Sequence, residues 1–436
     1  MFDLPKYGDG VCLARLADLL EVLSVDRARL QRISVVVTGS NGKGSTAAFC
    51  AGIARAYGLR TGLFTSPHLY RFNERFQVDG AEIDDDDLAR LTSRVAAAIA
   101  EVAQRRNEKF GGFEAMFALA CLHFQERKCD FAVFEAGIGG RYDPVRLVGA
   151  LATSVTSVDY EHVELLGHSL ELIASDKSDA CASGGTIVYG ENCRKLRPHL
   201  VEYNRARKVT PLFVRYEIDN KTSSASGQRF DFQFDIYDFR LLEISLLGTF
   251  QFNNAALAIA LFLLWLENAR RGDAPGRIET AVRTGLREVR WPGRLEVIQR
   301  DPLTVIDVGH TPDGIRQSLA SLQAIYGADG WILVVGVSRD KKADAIVGTL
   351  APSFDTIVCT AAHHKGADAE VIAAAARGAN PQAEIHTAAT IEGAVGVSQK
   401  LAASQGRKIY VAGGLFLAIE YAVVAKGGRA QDLSFF

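Results

Sequence analysis

The chain has 436 residues, 48% of them hydrophobic and 23% charged, so it carries enough apolar side chains to bury a large core. Its formal net charge is −2, which excludes the basic field that a nucleic-acid-binding surface needs. The seven cysteines show no C-x-x-C spacing, the N-terminal residues do not form a signal sequence, and no apolar stretch approaches the roughly 18 residues that span a bilayer. We therefore expect a cytoplasmic monomer or weak oligomer that binds neither nucleic acid nor membrane.

The first predicted elements are a β-branched strand at Ile33–Val37, a glycine-rich loop at Thr38–Thr46 and a helix at Ala47–Tyr57. A strand that runs through glycines into a helix directs backbone N–H groups at one point, which favours polyphosphate binding over a simple strand-to-helix turn. Lys43 is expected to reach the terminal phosphates, and the hydroxyl of Ser45 or Thr46 to hold a bridging Mg²⁺ ion. The pattern predicts an ATP site built from Asn41, Gly42, Lys43, Gly44, Ser45 and Thr46.

Predicted strands and helices then alternate along the chain, which indicates an α/β fold with a doubly wound, mostly parallel sheet. The strands are Thr61–Thr65, Phe131–Glu135, Ala152–Val158 and Thr186–Tyr189, and the helices are Leu88–Arg105, Phe113–Glu126 and Leu170–Ala182. The acidic run Asp84–Asp87 directly precedes a helix, so we expect it to cap that helix rather than bind a metal.

A small antiparallel sheet is predicted next, because apolar and polar residues alternate from Phe230 to Tyr237, with a polar hairpin tip at 221–227. Helices follow at Asn254–Glu267 and Arg277–Glu288. A Pro-Gly turn then predicts a boundary between an ATP-binding domain at 1–292 and a smaller Rossmann-like domain at 293–436. The strands of that second domain are Leu303–Asp307, Ile332–Val335, Thr356–Cys359 and Ile409–Ala412.

Several motifs resemble the folylpolyglutamate synthase and dihydrofolate synthase family of the Mur ligase superfamily. They are the phosphate loop, Ser66-Pro67-His68-Leu69 with Glu74-Arg75, the segment Glu135-Ala136-Gly137-Ile138-Gly139-Gly140-Arg141, and Glu161-His162. The resemblance covers most of both domains. It implies a ligase that uses ATP and Mg²⁺ to join an amino acid, with glutamate expected, to a carboxylate acceptor.

A second Mg²⁺ site is expected at the carboxyl edge of the sheet. Glu135 and His162 follow neighbouring predicted strands, so their side chains can converge with the oxygen of Ser66, although each alone also fits an ordinary polar residue at a strand end. The resemblance implies that these residues bind Mg²⁺ and that Lys177 is carbamylated to become a further ligand; an ordinary surface lysine is the alternative.

Four further residues are expected at the nucleotide. The segment Gly248–Ala255 resembles a family motif that implies nucleotide contact by Asn254, whereas a helix N-cap fits its neighbour Asn253 better. The resemblance also implies that Arg294 reaches the phosphates and that Asp307 and His310 close over ATP from the second domain. Reaction is therefore expected to require domain closure.

Other positions depart from the family pattern and suggest an altered acceptor pocket. They are Asp143-Pro144-Val145-Arg146, Phe117, Thr311 and His363-His364-Lys365. The predicted function is dihydrofolate or folylpolyglutamate synthesis through an acyl phosphate. The alternatives are the same chemistry on a non-folate carboxylate, or a catalytically degenerate nucleotide-binding homologue.

Overall fold

An eight-stranded sheet forms the centre of the N-terminal half in this computed structural model, which describes residues 4–5, 8–10, 12–217, 224–225, 227–269 and 275–435. Its strand order is β4-β3-β2-β5-β1-β6-β7-β8, and all neighbours from β2 to β8 run parallel. The strands are β1 Ser34–Thr38, β2 Thr61–Phe64, β3 Phe76–Val78, β4 Ala81–Glu82, β5 Phe131–Glu135, β6 Ala152–Val155, β7 Thr186–Tyr189 and β8 Thr210–Phe213.

Helices cover both faces of this sheet, because the side chains of each buried strand alternate between two apolar cores. In β1, Val35 and Val37 join the core on one face of the sheet, whereas Val36 joins the core on the other face. The helices are α1 Leu13–Val22, α2 Arg27–Ile33, α3 Lys43–Ala56, α4 Asp85–Arg106, α5 Gly112–Glu126, α6 Val163–Leu166, α7 Leu170–Ser178, α8 Arg197–Ala206, α9 Phe250–Asn268 and α10 Pro275–Glu288. The expected doubly wound architecture is confirmed.

The small antiparallel sheet is also present, with β9 Tyr216–Glu217, β10 Gln228–Phe234 and β11 Tyr237–Ile244 in the order β11-β10-β9. The predicted continuation of one strand through Ile236 is wrong. Asp235 has a left-handed backbone (φ 51°) and Ile236 is 81% exposed, so both lie in the turn between β10 and β11. Most of the predicted hairpin tip at 221–227 lies outside the described residues.

A second, six-stranded sheet follows, in the order β12-β13-β17-β14-β15-β16, parallel except for the β12–β13 pair. Its strands are β12 Glu296–Arg300, β13 Leu303–Ile306, β14 Trp331–Val335, β15 Thr356–Thr360, β16 Glu384–Ala388 and β17 Lys408–Ala412, and its helices are α11 Pro312–Tyr326, α12 Ala343–Leu350, α13 Ala369–Ala379, α14 Ile391–Gln405 and α15 Leu415–Ala425. This sheet confirms the Rossmann-like second unit.

The amino-acid composition of two helices explains where one begins and why the other is buried. Asp84 caps α4 by accepting a hydrogen bond from the backbone N–H of Asp87, as expected for an acidic run at a helix start. Helix α9 is long and apolar enough to cross a membrane, but 83% of its apolar window is buried inside the protein, which is typical of a core helix.

Candidate active site

The phosphate loop joins β1 to α3 at the carboxyl edge of the large sheet. Gly39 and Gly42 have positive φ angles of 141° and 84°, which let the chain turn back before α3 begins at Lys43. No side chain caps the N-terminus of α3, so its first N–H groups are available to an anion. The ammonium of Lys43 donates to the carbonyl of Gly39 at 2.9 Å and therefore lies directly over the loop.

Asn41 holds the loop against β6 and against the second domain. Its backbone N–H donates to Ser157 Oγ at 2.8 Å, and its carbonyl accepts from Thr156 Oγ1 at 2.5 Å. Its side-chain oxygen accepts from Thr311 Oγ1 at 3.2 Å, across the cleft between the two sheets. The side-chain Nδ2 of Asn41 is buried with no partner among the described residues.

Helix α9 brings an amide pair beside the loop. Asn254 donates to Gln251 Oε1 at 2.8 Å, and Gln251 lies 3.4 Å from Ser45 Oγ. A Cβ atom on Gly42 would lie 2.3 Å from the Asn254 side-chain oxygen, so glycine is required there by both space and backbone angle. The Thr46 hydroxyl is fully buried and has no partner among the described residues.

The N-cap alternative for Asn253 is wrong. Asn253 lies inside α9, and its amide links β6 to the segment after β7 by donating to the Thr156 carbonyl and accepting from the Glu191 N–H.

Gly44 lies in the first turn of α3 under Trp291, whose ring would be 3.0 Å from an added Cβ. Gln251 and Trp291 were not predicted as site residues, although Gln251 belongs to the quoted Gly248–Ala255 motif.

Glu135, at the end of β5, is a buried carboxylate beside the loop. Its Oε2 accepts a hydrogen bond from the backbone N–H of Ser66 at 3.0 Å, so two of the predicted metal-site residues are adjacent. Burial raises the pKa of Glu135 to about 7, against the opposing influence of Lys43, the Ser66 N–H, Arg294 and Arg75. A bound cation would stabilise the ionised form of this group.

Glu161, rather than its neighbour His162, points toward the buried lysine. Lys177 is fully buried on α7, and its ammonium lies 2.5 Å from Glu161 Oε1. Burial disfavours the charged form of Glu161, but Lys177 and Lys43 outweigh that cost and hold the pKa of Glu161 at about 2. Burial lowers the pKa of Lys177, with Glu161 opposing the change.

His162 has a left-handed backbone (φ 44°) at the N-terminus of α6, and its side chain is exposed. Within the described ranges, no group of three or more His, Cys, Asp and Glu side chains is arranged to hold a metal ion. The ligand set Ser66, Glu135, His162 and Lys177 therefore stays a prediction.

Two carboxylates that were not predicted as site residues hold the loop after β5. Asp143 accepts from the N–H groups of Gly137 and Ile138, each at 2.9 Å, and Asp176 accepts from the Gly140 N–H at 2.9 Å. Asp143 therefore stabilises the Gly-Ile-Gly-Gly turn from within the segment that departs from the family pattern.

Arg146 and Phe117, two of the positions that depart from the family pattern, lie in different environments. Arg146 is exposed and donates to the carbonyl of Arg141 at 2.8 Å. Phe117 is fully buried among the rings of Phe64 and Phe134, so the suggestion that it lines the pocket is wrong. Its aromatic side chain belongs to the core behind the sheet.

The second domain presents its predicted residues to the same cleft. Asp307 is buried after β13, where it accepts from the N–H groups of Leu295 and Gly309, and burial raises its pKa while Arg294 opposes the change. The side chain of His310 is exposed at the cleft wall; the surrounding protein, followed by the charges of Lys341 and Arg294, lowers its pKa to about 4. Arg294 thus lies within electrostatic reach of Glu135, Asp307 and His310.

Comparison with known proteins identifies the family. The Mur ligase middle domain matches residues 37–262, and the Mur ligase glutamate ligase domain matches residues 293–415. The dihydrofolate synthase/folylpolyglutamate synthase of Bacillus subtilis is 30% identical over 349 residues, which cover 79% of this chain and 80% of that protein. Folylpolyglutamate synthase of Lacticaseibacillus casei is 32% identical, with 81% of each chain covered.

Solved structures agree with this relationship. Mycobacterium tuberculosis folylpolyglutamate synthase complexed with ADP has a TM-score of 0.82 and 26% identity, with 93% of each chain covered. The apo form of the L. casei enzyme has a TM-score of 0.83 and 27% identity, with 97% of this chain and 96% of that chain covered. The chain therefore belongs to the folylpolyglutamate synthase/dihydrofolate synthase family of Mur ligases, which are ATP-dependent ligases.

Proposed function

We propose that this protein joins L-glutamate to the carboxylate of a pteroate- or folate-like acceptor, with hydrolysis of ATP to ADP and phosphate. The observation that carries the proposal is the convergence of Lys43, Glu135, Arg294 and the Asn41–Thr311 contact on one interdomain cleft. The proposed domains are 1–292 and 293–436, so the cleft lies at their junction. We also propose that the protein acts in the cytoplasm.

The first step is phosphoryl transfer from ATP. An acceptor carboxylate oxygen attacks the γ-phosphorus, ADP leaves, and an acyl phosphate forms. Lys43 and the free N–H groups of α3 stabilise charge on the transferring group, and Arg294 adds a second cation from the other wall of the cleft. Positioning and electrostatics therefore account for most of the rate.

Amide formation is the second step. The amine of glutamate attacks the acyl carbon, phosphate leaves, and the amine loses a proton. Closure of Asp307 and His310 over the cleft excludes water, which would otherwise hydrolyse the acyl phosphate. The pKa of His310 is lowered to about 4, so its ring is neutral at pH 7 and can hydrogen-bond to the nucleotide without adding charge.

Mg²⁺ fits the donor set of this site. Ser45 and Glu135 offer the oxygen ligands that this ion prefers, and Glu135 is a buried carboxylate whose ionised form a cation would stabilise. We propose Ser45 for one ion, and Ser66, Glu135 and His162 for a second; Mg²⁺ would supply charge neutralisation at the phosphates. Carbamylation of Lys177 is part of this proposal, and it requires Glu161 to release the lysine, because a carbamate beside Glu161 would place two negative charges together.

The proposal is tested by ADP release with Mg²⁺, ATP and glutamate, using dihydropteroate, folate and a cell-wall-type peptide carboxylate as separate acceptors. We expect release with a pteroate or folate only, together with a product heavier by one glutamate. A Lys43→Met variant is the matched control and should release no ADP. Turnover only with the peptide carboxylate, or none with any acid despite ATP binding, would contradict the proposal.

A further inference from the structure

Thr311 connects the two domains through a single hydroxyl group. It precedes α11, where Thr311 Oγ1 caps the helix by accepting from the Gly314 N–H at 3.1 Å. The same oxygen donates to Asn41 Oδ1 in the phosphate loop at 3.2 Å. The two residues are 270 positions apart in the chain, so this bond exists only while the domains are together.

Asn41 has hydrogen-bond partners for all of its polar groups except one. Its N–H and carbonyl bond to hydroxyls of Ser157 and Thr156, and its side-chain oxygen bonds to Thr311. The Nδ2 group is buried and has no acceptor among the described residues. Buried donors in native proteins almost always have a partner, so this N–H group calls for an acceptor from a ligand.

The Thr311 bond decides which way that donor points. Thr311 Oγ1 accepts from the Gly314 N–H and donates its own hydrogen to Asn41 Oδ1, so the amide is held with Nδ2 on its opposite side. Since Asn41 belongs to the loop that Lys43 covers, the acceptor available to Nδ2 is a phosphate oxygen of the nucleotide.

We propose that Thr311 is a positioning residue that couples domain closure to ATP binding by orienting the Asn41 amide toward the phosphates. This inference rests on the proposed function, since it requires ATP at the loop. It assigns a role to one of the positions at which the chain departs from the family pattern.

The test compares Thr311→Val, which removes the hydroxyl without changing the shape, with Thr311→Ser, which keeps it. Thr390→Val is a matched control, because Thr390 caps α14 by accepting from Gly393 at 3.2 Å in the same way but lies on the surface. The measurements are the Kd of a non-hydrolysable ATP analogue, the KM for ATP and kcat. Thermal unfolding confirms that each variant is folded.

We expect Thr311→Val to weaken analogue binding and raise the KM for ATP about tenfold, with kcat at saturating ATP little changed, because one buried donor loses its orientation. Thr311→Ser and Thr390→Val should bind like the wild type. Equal binding by Thr311→Val and Thr390→Val overturns the inference.

A double-mutant cycle with Asn41→Ala separates coupling from general damage. If Thr311 acts through Asn41, Thr311→Val should add almost nothing in the Asn41→Ala background. Multiplicative effects of the two substitutions would overturn the coupling, even if both variants bind ATP poorly. Failure of the wild type to bind the analogue would instead refute the proposed function, so the two failures are distinguishable.

Discussion

Glu135→Gln should remove a pH dependence of stability that the buried carboxylate creates. The ordinary pKa of 4.5 is raised to about 7 in the folded protein, chiefly by burial. Below pH 4.5 the group is protonated in both states and contributes nothing. Above that value the unfolded chain ionises first, so stability falls as pH rises and the loss is complete above about pH 7.

The size of the effect follows from those two values. Integrating the proton linkage from pH 5 to pH 8 gives a loss of about 2.5 kcal/mol in the free energy of unfolding that is specific to Glu135. Urea unfolding of wild type and Glu135→Gln at both pH values, with EDTA present, gives the change in the free energy of unfolding between pH 5 and pH 8 for each protein. The difference between these two changes is the contribution of Glu135. Other shifted groups, such as Asp143, contribute to both proteins and cancel.

Replacing EDTA with Mg²⁺ gives a second measurement on the same two proteins. The ion binds the ionised carboxylate, so it should restore stability to the wild type at pH 8 and should stabilise Glu135→Gln much less. The reasoning is refuted if the variant keeps the wild-type pH slope, because the charge of Glu135 would then cost nothing in the folded state.

Two further substitutions test other parts of the site. In protein whose Lys177 is not carbamylated, Glu161→Gln leaves the fully buried Lys177 charge unpaired, so we expect a loss of about 3 to 5 kcal/mol in urea unfolding. Glu243→Gln, in an exposed pair with Arg229, should lose less than about 1 kcal/mol, and equal losses would contradict the burial argument. Gly42→Ala forces a methyl group against Asn254 at a left-handed position and should abolish ATP-analogue binding in calorimetry, whereas Gly348→Ala, where no atom lies within 4 Å of the added Cβ, should not. Normal binding by Gly42→Ala would show that the loop can rearrange.

Much of the fold could be predicted because its signals are local. The β-branched residues of β1, the glycines after it and the acidic start of α4 each act within a few residues, and the structure has the expected element at each place. The hairpin turn at Asp235 was missed because its left-handed residue interrupts an alternation that continues in the sequence as if the strand did not end.

The arrangement of the site was harder to predict, since it depends on which way adjacent side chains turn. Glu161 and His162 are neighbours, but Glu161 turns inward to the buried Lys177, whereas His162 has a left-handed backbone. No sequence pattern predicts which of the two side chains turns inward. Phe117 was misplaced for a related reason: a departure from the family pattern does not show which way the new side chain faces. The Asn41–Thr311 contact has no local signal at all.

Long separations within the site have a consequence for biosynthesis. The phosphate loop depends on Gln251, 206 residues after Ser45, and on Thr311, 270 residues after Asn41. A nascent chain on the ribosome therefore carries its nucleotide-binding motif long before the segments that complete the pocket are made. ATP is expected to engage only after synthesis of the second domain is well advanced, so partly made chains would neither capture nor consume it.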